Sequence, residues 1–359
     1  MDTSYKEKVK KILTAAVAAP SGDNSQPWRF VVHDNSIEFH YLPERDNPIF
    51  NYEKGGTLIA IGAALQNAEL EARAQGYTPN AIFNEGGGSC VAVMRLTGGG
   101  NLNVIQGHMR EAIFKRHTNR RAYEKIPLSR EMRETILSPL ISGSADPKLF
   151  LIESQEAMEE VSRALTTMEE TALGNQTMHK LFFSSIFWSE TRNRAGEQGL
   201  YIKTLELPPP VQALFWLLKY WHFARFLSSV GFPKFVARTN AQQNASASAF
   251  GMITAPQLRR VTYLETGKML ERVWLLVAAQ GLSLQIVTGI TFLARSIIHN
   301  PDTALLLSDE EQEHVRAAYA IIKRNIDEEY EPIIAFRIGT SSAPTEVTYR
   351  RAPEITFED

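Results

Sequence analysis

Apolar residues recur at helical spacing at Val9, Ile12, Leu13, Ala16 and Val17, which predicts an N-terminal helix. Pro20 and the run Ser21-Gly22-Asp23-Asn24 then break the pattern into a loop. Trp28-Arg-Phe-Val-Val is a short β-rich run, and Ile37-Glu-Phe-His-Tyr alternates apolar with polar positions, so the two read as an antiparallel pair. The Ala- and Leu-rich stretch from Leu58 to about Gln75 has helical composition and stops at Gly76, a residue suited to the left-handed cap. Cys90 to Leu96 reads as a strand ending in Gly98-Gly-Gly. Ile105, Met109 and Ile113 mark another helical stripe, which runs into the basic cluster Arg116-His-Thr-Asn-Arg-Arg-Ala-Tyr123.

The pattern recurs. Leu58–Tyr77 aligns without gaps on Tyr263–Leu282 at an offset of 205, placing Gly62 on Gly267, Leu65 on Leu270 and Ala74-Gln75-Gly76 on Ala279-Gln280-Gly281. Val93-Met-Arg-Leu-Thr-Gly resembles Ala335-Phe-Arg-Ile-Gly-Thr. Lys11-Ile-Leu, followed by a loop and strand, resembles Thr135-Ile-Leu followed by Phe150-Leu-Ile. Two amphipathic helices ending in glycine can match by chance, but the shared order of helix, loop, strand, helix and strand favours one α+β unit present twice. The expected division is residues 1–103 and 104–359. The second unit is longer by about 86 residues, an extra segment at about 170–255. This segment holds Pro208-Pro-Pro210 and the aromatic run Leu214 to Phe226, and it has three readings: a packing helix, a lid over a ligand, or an amphipathic membrane-surface element. Lys219, His222 and Arg225 interrupt the run, which makes it too polar and short to span a bilayer.

Length and charge narrow the picture. At roughly 150 residues per domain, 359 residues suggest about two domains or one large duplicated unit. Lys+Arg 38 against Asp+Glu 40 leaves a net charge of -2, so no global positive field draws the chain to nucleic acid or anionic lipid, and any anion site is local. The single cysteine, Cys90, rules out an internal disulfide, and the charged N-terminal stretch lacks the apolar core of a secretory signal. A cytoplasmic protein is expected, with a membrane partner not expected.

Two segments carry the chemistry. In Ala18 to Phe30, Ser21, Asn24 and Gln26 offer donors and acceptors in a loop shaped by Pro20 and Pro27, suited either to polar recognition or to an ordinary turn above a buried Trp28. In Arg116-x-Thr118-x-Arg120, an extended backbone points all three side chains one way, and two guanidinium groups with a hydroxyl suit a phosphate. A solvated basic turn is the plainer alternative. No histidine pair with metal-ligand spacing on a helix occurs among the eight histidines, and no G-x-G-x-x-G, Walker loop or G-x-S-x-G is present, so no metal is expected.

Together the segments resemble the nitroreductase family of flavin proteins. Residues 18–30 match A-P-S-x-x-N-x-Q-P-W-x-F, and Arg116, Thr118, Arg120 and Tyr123 match R-x-S/T-x-R-x-F/Y with one extra residue before the Tyr. Phe336-Arg-Ile-Gly339 and Arg350-Arg351 are similar to the family's closing strand and basic tail. The resemblance implies an α+β nitroreductase-like fold with antiparallel-rich sheets flanked by helices. It also implies FMN held where the Arg segment of one unit meets the P-S-x-x-N loop of the other. Here the first unit keeps the loop and the second keeps the Arg segment, with Ser142-Gly-Ser-Ala-Asp-Pro147 where the second loop would stand. A single chain then imitates the family's dimer and holds one complete site, as in the double-domain branch that includes the Acg-like proteins.

By the same resemblance, Arg116 and Arg120 grip the phosphate, Thr118 contacts the phosphate or ribityl chain, and Pro20, Ser21, Asn24 and Gln26 approach the flavin from the other unit. Val287-Thr288-Gly289 matches the segment whose backbone N–H reaches the reactive ring nitrogen, so Thr288 and Gly289 are the candidate catalytic positions, and Arg350 or Arg351 completes the pocket. The implied activity is flavin-mediated oxidation or reduction of a small organic substrate, with NAD(P)H as possible donor. Two alternatives stay open: a flavin-sequestering protein with a lid and little turnover, and a biosynthetic dehydrogenase acting on a partner-borne substrate.

Overall fold

The computed structural model describes residues 1–45, 51–138 and 147–358. Chain order begins with helix α1 (Thr3–Val17), strands β1 (Trp28–His33) and β2 (Ser36–Tyr41), helix α2 (Gly55–Ala74), strands β3 (Tyr77–Phe83) and β4 (Cys90–Gly98), and helix α3 (Val104–Ala112). Next come α4 (Arg130–Leu137), β5 (Lys148–Ile152), α5 (Gln155–Leu165), α6 (Thr167–Gly174), α7 (Gln176–Ser184), β6 (Ile186–Phe187), α8 (Glu190–Arg194) and β7 (Leu200–Tyr201). They are followed by α9 (Pro209–Leu218), α10 (Trp221–Ser229), α11 (Phe232–Asn244), β8 (Ala249–Ala255), α12 (Arg260–Ala279), β9 (Ser283–Ile286) and α13 (Gly289–His299). The chain closes with α14 (Pro301–Ala304), α15 (Asp309–Lys323), β10 (Glu331–Gly339) and β11 (Ile355–Phe357).

The result is a mixed α/β architecture with two principal sheets, one ordered β11-β1-β2-β4-β3 and the other β5-β8-β10-β9. The expected β1–β2 pairing is antiparallel, in the register Phe30 to Phe39. One pairing crosses the chain's length: β11 runs parallel to β1, so the C-terminal tail completes the sheet that the N-terminal residues begin.

Between the sheets α2 packs on α12, the two long helices that share the 205-residue offset. Their crossing is set by Gly62 and Gly267. A Cβ on Gly62 would lie 2.0 Å from the Leu264 carbonyl oxygen, and one on Gly267 would lie 2.0 Å from that of Ile59. Ile59 and Leu264 are themselves separated by 205, so the contact is reciprocal. Only a hydrogen at Cα lets two helix backbones approach this closely. The main apolar core draws on residues far apart in the chain, running from Ile12 and Phe30 through Leu65 to Trp274 and Phe336.

The expected extra segment, 170–255, reaches into β8, so residues 249–255 belong to the second sheet as one of its two inner strands, buried along its whole length. The remainder, α6 to α11 with the small β6–β7 pair, gathers around its own cluster of Leu173, Phe183, Phe187, Tyr201 and Leu218. Ser142 to Asp146, expected to replace the second loop, lie outside the described residues. No helix among the described residues is long and apolar enough to cross a membrane.

Candidate functional site

A cleft of about 710 Å³ opens beside α2 and α12, within the range usual for small-molecule sites. The loop after α1, the arginine segment after α3, the first turn of α13, the insertion and the C-terminal tail all contribute to its wall. Pro20, Ser21, Asn24, Arg116, Thr118, Arg120, Thr288, Arg350 and Arg351 line it, so most of the residues singled out in the sequence converge. Gln26 and Gly289 do not. Gln26 is buried behind the wall, and Gly289 is exposed beside Met168.

The arginine segment is extended where expected. Thr118 bridges Leu284 in parallel, and Asn119, pointing the other way, binds Ser283 Oγ at 2.9 Å and the Ser342 carbonyl at 2.8 Å. Arg116 is buried. Its Nη2 donates to the Ala18 carbonyl at 2.6 Å, its guanidinium lies 4.4 Å from the Trp274 ring centre, and its Nε lies 3.2 Å from Glu271 Oε1. Burial pushes the Glu271 carboxyl up, while Arg116 pulls it down. Arg120 donates to the Thr204 carbonyl at 3.0 Å and faces Asp23, whose carboxyl is raised by burial and lowered by that guanidinium. His117, also on the wall, has its pKa lowered by burial and then by Arg116, so its imidazole is neutral at pH 7.

The loop following α1 is strained. Asp23, Asn24 and Gln26 take φ of 47°, 52° and 48°, in the left-handed region that non-glycine residues seldom enter. Contacts from distant segments hold it there. Asn24 Nδ2 donates to the carbonyls of Glu197 and Tyr349, both at 3.1 Å, while its Oδ1 accepts from Arg350 Nη1 at 2.7 Å. Gln26 Nε2 donates to Gly196 O at 2.8 Å, and its Oε1 accepts from the Arg351 N–H at 2.8 Å. The Gly199 N–H donates to the Asp23 carbonyl at 2.6 Å. Asn24 and Gln26 thus spend their amides tying the insertion and tail to the loop.

Arg350 is a weakly compensated cation. It donates to backbone carbonyls and to Asn24, and among the described residues it forms no ion pair, Glu271 attracting it only from farther away. Burial, and then repulsion from Arg116, lower its pKa to about 9. Four arginines line the cleft against Asp23 and Glu346, with Glu271 behind Arg116, which leaves one positive charge in excess. The wall also carries an apolar part, with Ile59, Leu270, Trp274, Ile286, Phe292 and Ile334. The Thr288 hydroxyl is turned inward, bonded to Thr291 Oγ1 at 2.8 Å and accepting from the Ala335 N–H at 3.1 Å, and so fixes the start of α13 against β10.

Several wall residues carry no motif signal: Asp23, Trp274, Phe292, Leu200 and Thr204. Glu271 does leave a trace, as an acidic residue amid the apolar run of α12.

No protein-family model matches the chain. Over 284 residues it is 20% identical to the uncharacterized protein MT1398 of Mycobacterium tuberculosis (strain CDC 1551 / Oshkosh), which covers 79% of this chain and 39% of that relative. The chain therefore spans about two fifths of the length of the curated relative it matches. Among solved structures it is similar to a chain from Anabaena variabilis ATCC 29413, with TM-score 0.42, 11% identity, and coverage of 94% of this chain and 89% of that one. It is also similar to a nitroreductase with bound FMN from Bacteroides fragilis NCTC 9343 (TM-score 0.39, 10% identity, 72% of this chain, 100% of that one). A third is the FMN-dependent nitroreductase NfnB from Mycobacterium smegmatis in complex with NADPH (TM-score 0.33, 13% identity, 66% and 88%).

Proposed function

We propose that this chain is an FMN-binding oxidoreductase of the nitroreductase type, built from two related halves that imitate a dimer and acting on a small organic substrate in the cytoplasm. The observation that carries the reading is the cleft itself: four arginines with one uncompensated charge at one part of the wall, and aliphatic and aromatic side chains along another. A phosphate on a planar, largely apolar ring system has that polarity, and the loop and arginine motifs meet there. Bound FMN would supply hydride-accepting chemistry, with NAD(P)H the proposed donor.

The protein's own residues place and shield the ligand. Arg350 and Arg120 are the proposed phosphate contacts, and Thr118 the proposed partner of the phosphate or ribityl chain. Glu271 acts on Arg116 as a positioning residue, holding the guanidinium over the Trp274 ring. Thr288 and Phe292 bring the N-terminal end of α13 to the cleft, where the helix dipole favours developing negative charge. The insertion closes over the loop and excludes water from its polar contacts.

A second reading, flavin sequestration with little turnover, draws on that same closure of the insertion over the loop. One experiment separates the two. The purified chain is titrated with FMN and then mixed anaerobically with NADH or NADPH while the flavin absorbance band is followed. Bleaching supports the oxidoreductase; reduction by dithionite alone supports sequestration. Failure to bind FMN at micromolar concentration overturns both.

A further inference from the structure

The insertion presents an apolar surface that the cleft does not use. Phe226, Val230 and Phe235 are 64%, 68% and 67% exposed, and Trp216, Leu217 and Tyr220 are also open to solvent. Trp216, Leu217, Phe226 and Phe235 lie on three successive helices and Tyr220 and Val230 in the turns between them, with α10 packed against both α9 and α11. Scattered exposed apolar residues are ordinary, but large ones concentrated on one subdomain mark a contact surface.

Charge identifies the contact. From residue 207 to residue 264 the sequence has no Asp or Glu, while Lys219, Arg225, Lys234 and Arg238 fall within α9 to α11 and the turn between α9 and α10. Among the described residues none of these four forms an ion pair, and Arg225, Lys234 and Arg238 are exposed. The chain as a whole carries -2, whereas these three helices and the turns between them hold four cations and no carboxylate of their own. Lys219 lies among three rings, 4.3 Å from the Trp216 centre, 4.8 Å from Tyr220 and 5.9 Å from Trp188. Indole and phenol rings beside a lysine are the side chains that settle at the boundary between acyl chains and headgroups.

We infer that α9 to α11 dock the protein on the surface of an anionic bilayer, with the apolar side chains entering the interface and the four cations facing lipid phosphates. The chain lies on the membrane and does not cross it. Each basic residue near an anionic surface strengthens binding by about 1 kcal/mol, or roughly five-fold, and the effect weakens within a Debye length as salt is added.

The test is co-sedimentation of the full chain with vesicles of phosphatidylcholine alone and of phosphatidylcholine mixed with phosphatidylglycerol. Binding to the mixed vesicles only, weakened by salt, is the expected result. Lys219→Glu combined with Arg225→Glu is expected to weaken it by roughly 25-fold or more. Phe226→Ser combined with Phe235→Ser should abolish it with the circular dichroism spectrum unchanged, since both side chains are solvent-exposed. Absence of binding to mixed vesicles by a monomeric protein overturns the inference, as does equal binding to both vesicle types. A concentration-dependent dimer that Phe226→Ser dissociates would show instead that a second copy covers the surface, and also overturns it.

Discussion

Glu271 Oε1 lies 3.2 Å from Arg116 Nε, and both side chains are sealed from solvent at the back of the cleft. The two are close enough to compensate each other's charge, yet neither Glu271 oxygen nor Arg116 Nε has an aligned hydrogen-bond partner among the described residues. The cation most prominent in the sequence motif is therefore already partnered by the fold. Removing it strands a buried carboxylate.

Arg116→Ala is accordingly expected to cost about 3–5 kcal/mol of stability, measured by urea unfolding. Replacing both partners with methionine should recover most of that loss, because the stranded charge goes with its partner. A single Arg116→Ala variant as stable as the parent would show that the pair is not coupled.

Arg350→Ala has a different outcome, since Arg350 forms no ion pair among the described residues and attracts the Glu271 carboxylate only from farther away than Arg116 does. The fold is expected to persist and FMN binding to weaken by about 1.5–3 kcal/mol, the usual worth of a hydrogen bond to a charged group. Riboflavin, which lacks the phosphate, should bind both proteins alike. Equal loss for the two ligands would move the phosphate away from Arg350.

Gly196 joins the insertion to the tail. It sits at φ 65°, and an added Cβ would lie 2.5 Å from the backbone carbon of Arg350. Gly196→Ala is expected to push the tail and the α8–β7 segment apart, with faster flavin release seen by stopped-flow fluorescence. An unchanged release rate would mean that this contact does not guard the cleft.

Stability should also respond to pH through Glu169, on α6. Burial pushes its carboxyl up to about 7, only partly offset by hydrogen bonds to its own backbone and to Asn240. The folded state therefore holds a proton that an unfolded glutamate releases near 4.5. Stability from this group falls as pH rises from about 4.5 to about 7 and is constant above. Glu169→Gln should raise the thermal midpoint at pH 8 and flatten its dependence between pH 5 and 7. A mutant as pH-sensitive as the parent would place the titration elsewhere.

Much of this was legible in the sequence because local pattern and local structure coincide there. The periodicity at Val9 to Val17 gave α1, the alternation at Ile37 to Tyr41 gave β2, and Arg116, Thr118 and Arg120 do reach one cleft. Strand β3 escaped because Pro79 and Asn80 interrupt its apolar positions, and it survives as an edge strand paired on one side only. The β11–β1 pairing escaped because it joins residues more than three hundred positions apart through backbone groups that carry no sequence signature. Gln26 has the chemistry of a ligand contact, but its amide is consumed by Gly196 and Arg351, and no local spacing encodes that.

The crossing at Gly62 and Gly267 bears on how the cleft is assembled. Where opposite walls of a site belong to separate molecules, dilution dissolves the site along with the complex. Here Ile59 and Ala60 on one wall and Leu270 and Trp274 on the other come from a single polypeptide, locked by reciprocal backbone contact. These two walls stay together at any concentration, so a ligand lost on dilution reports its own affinity and nothing about their association.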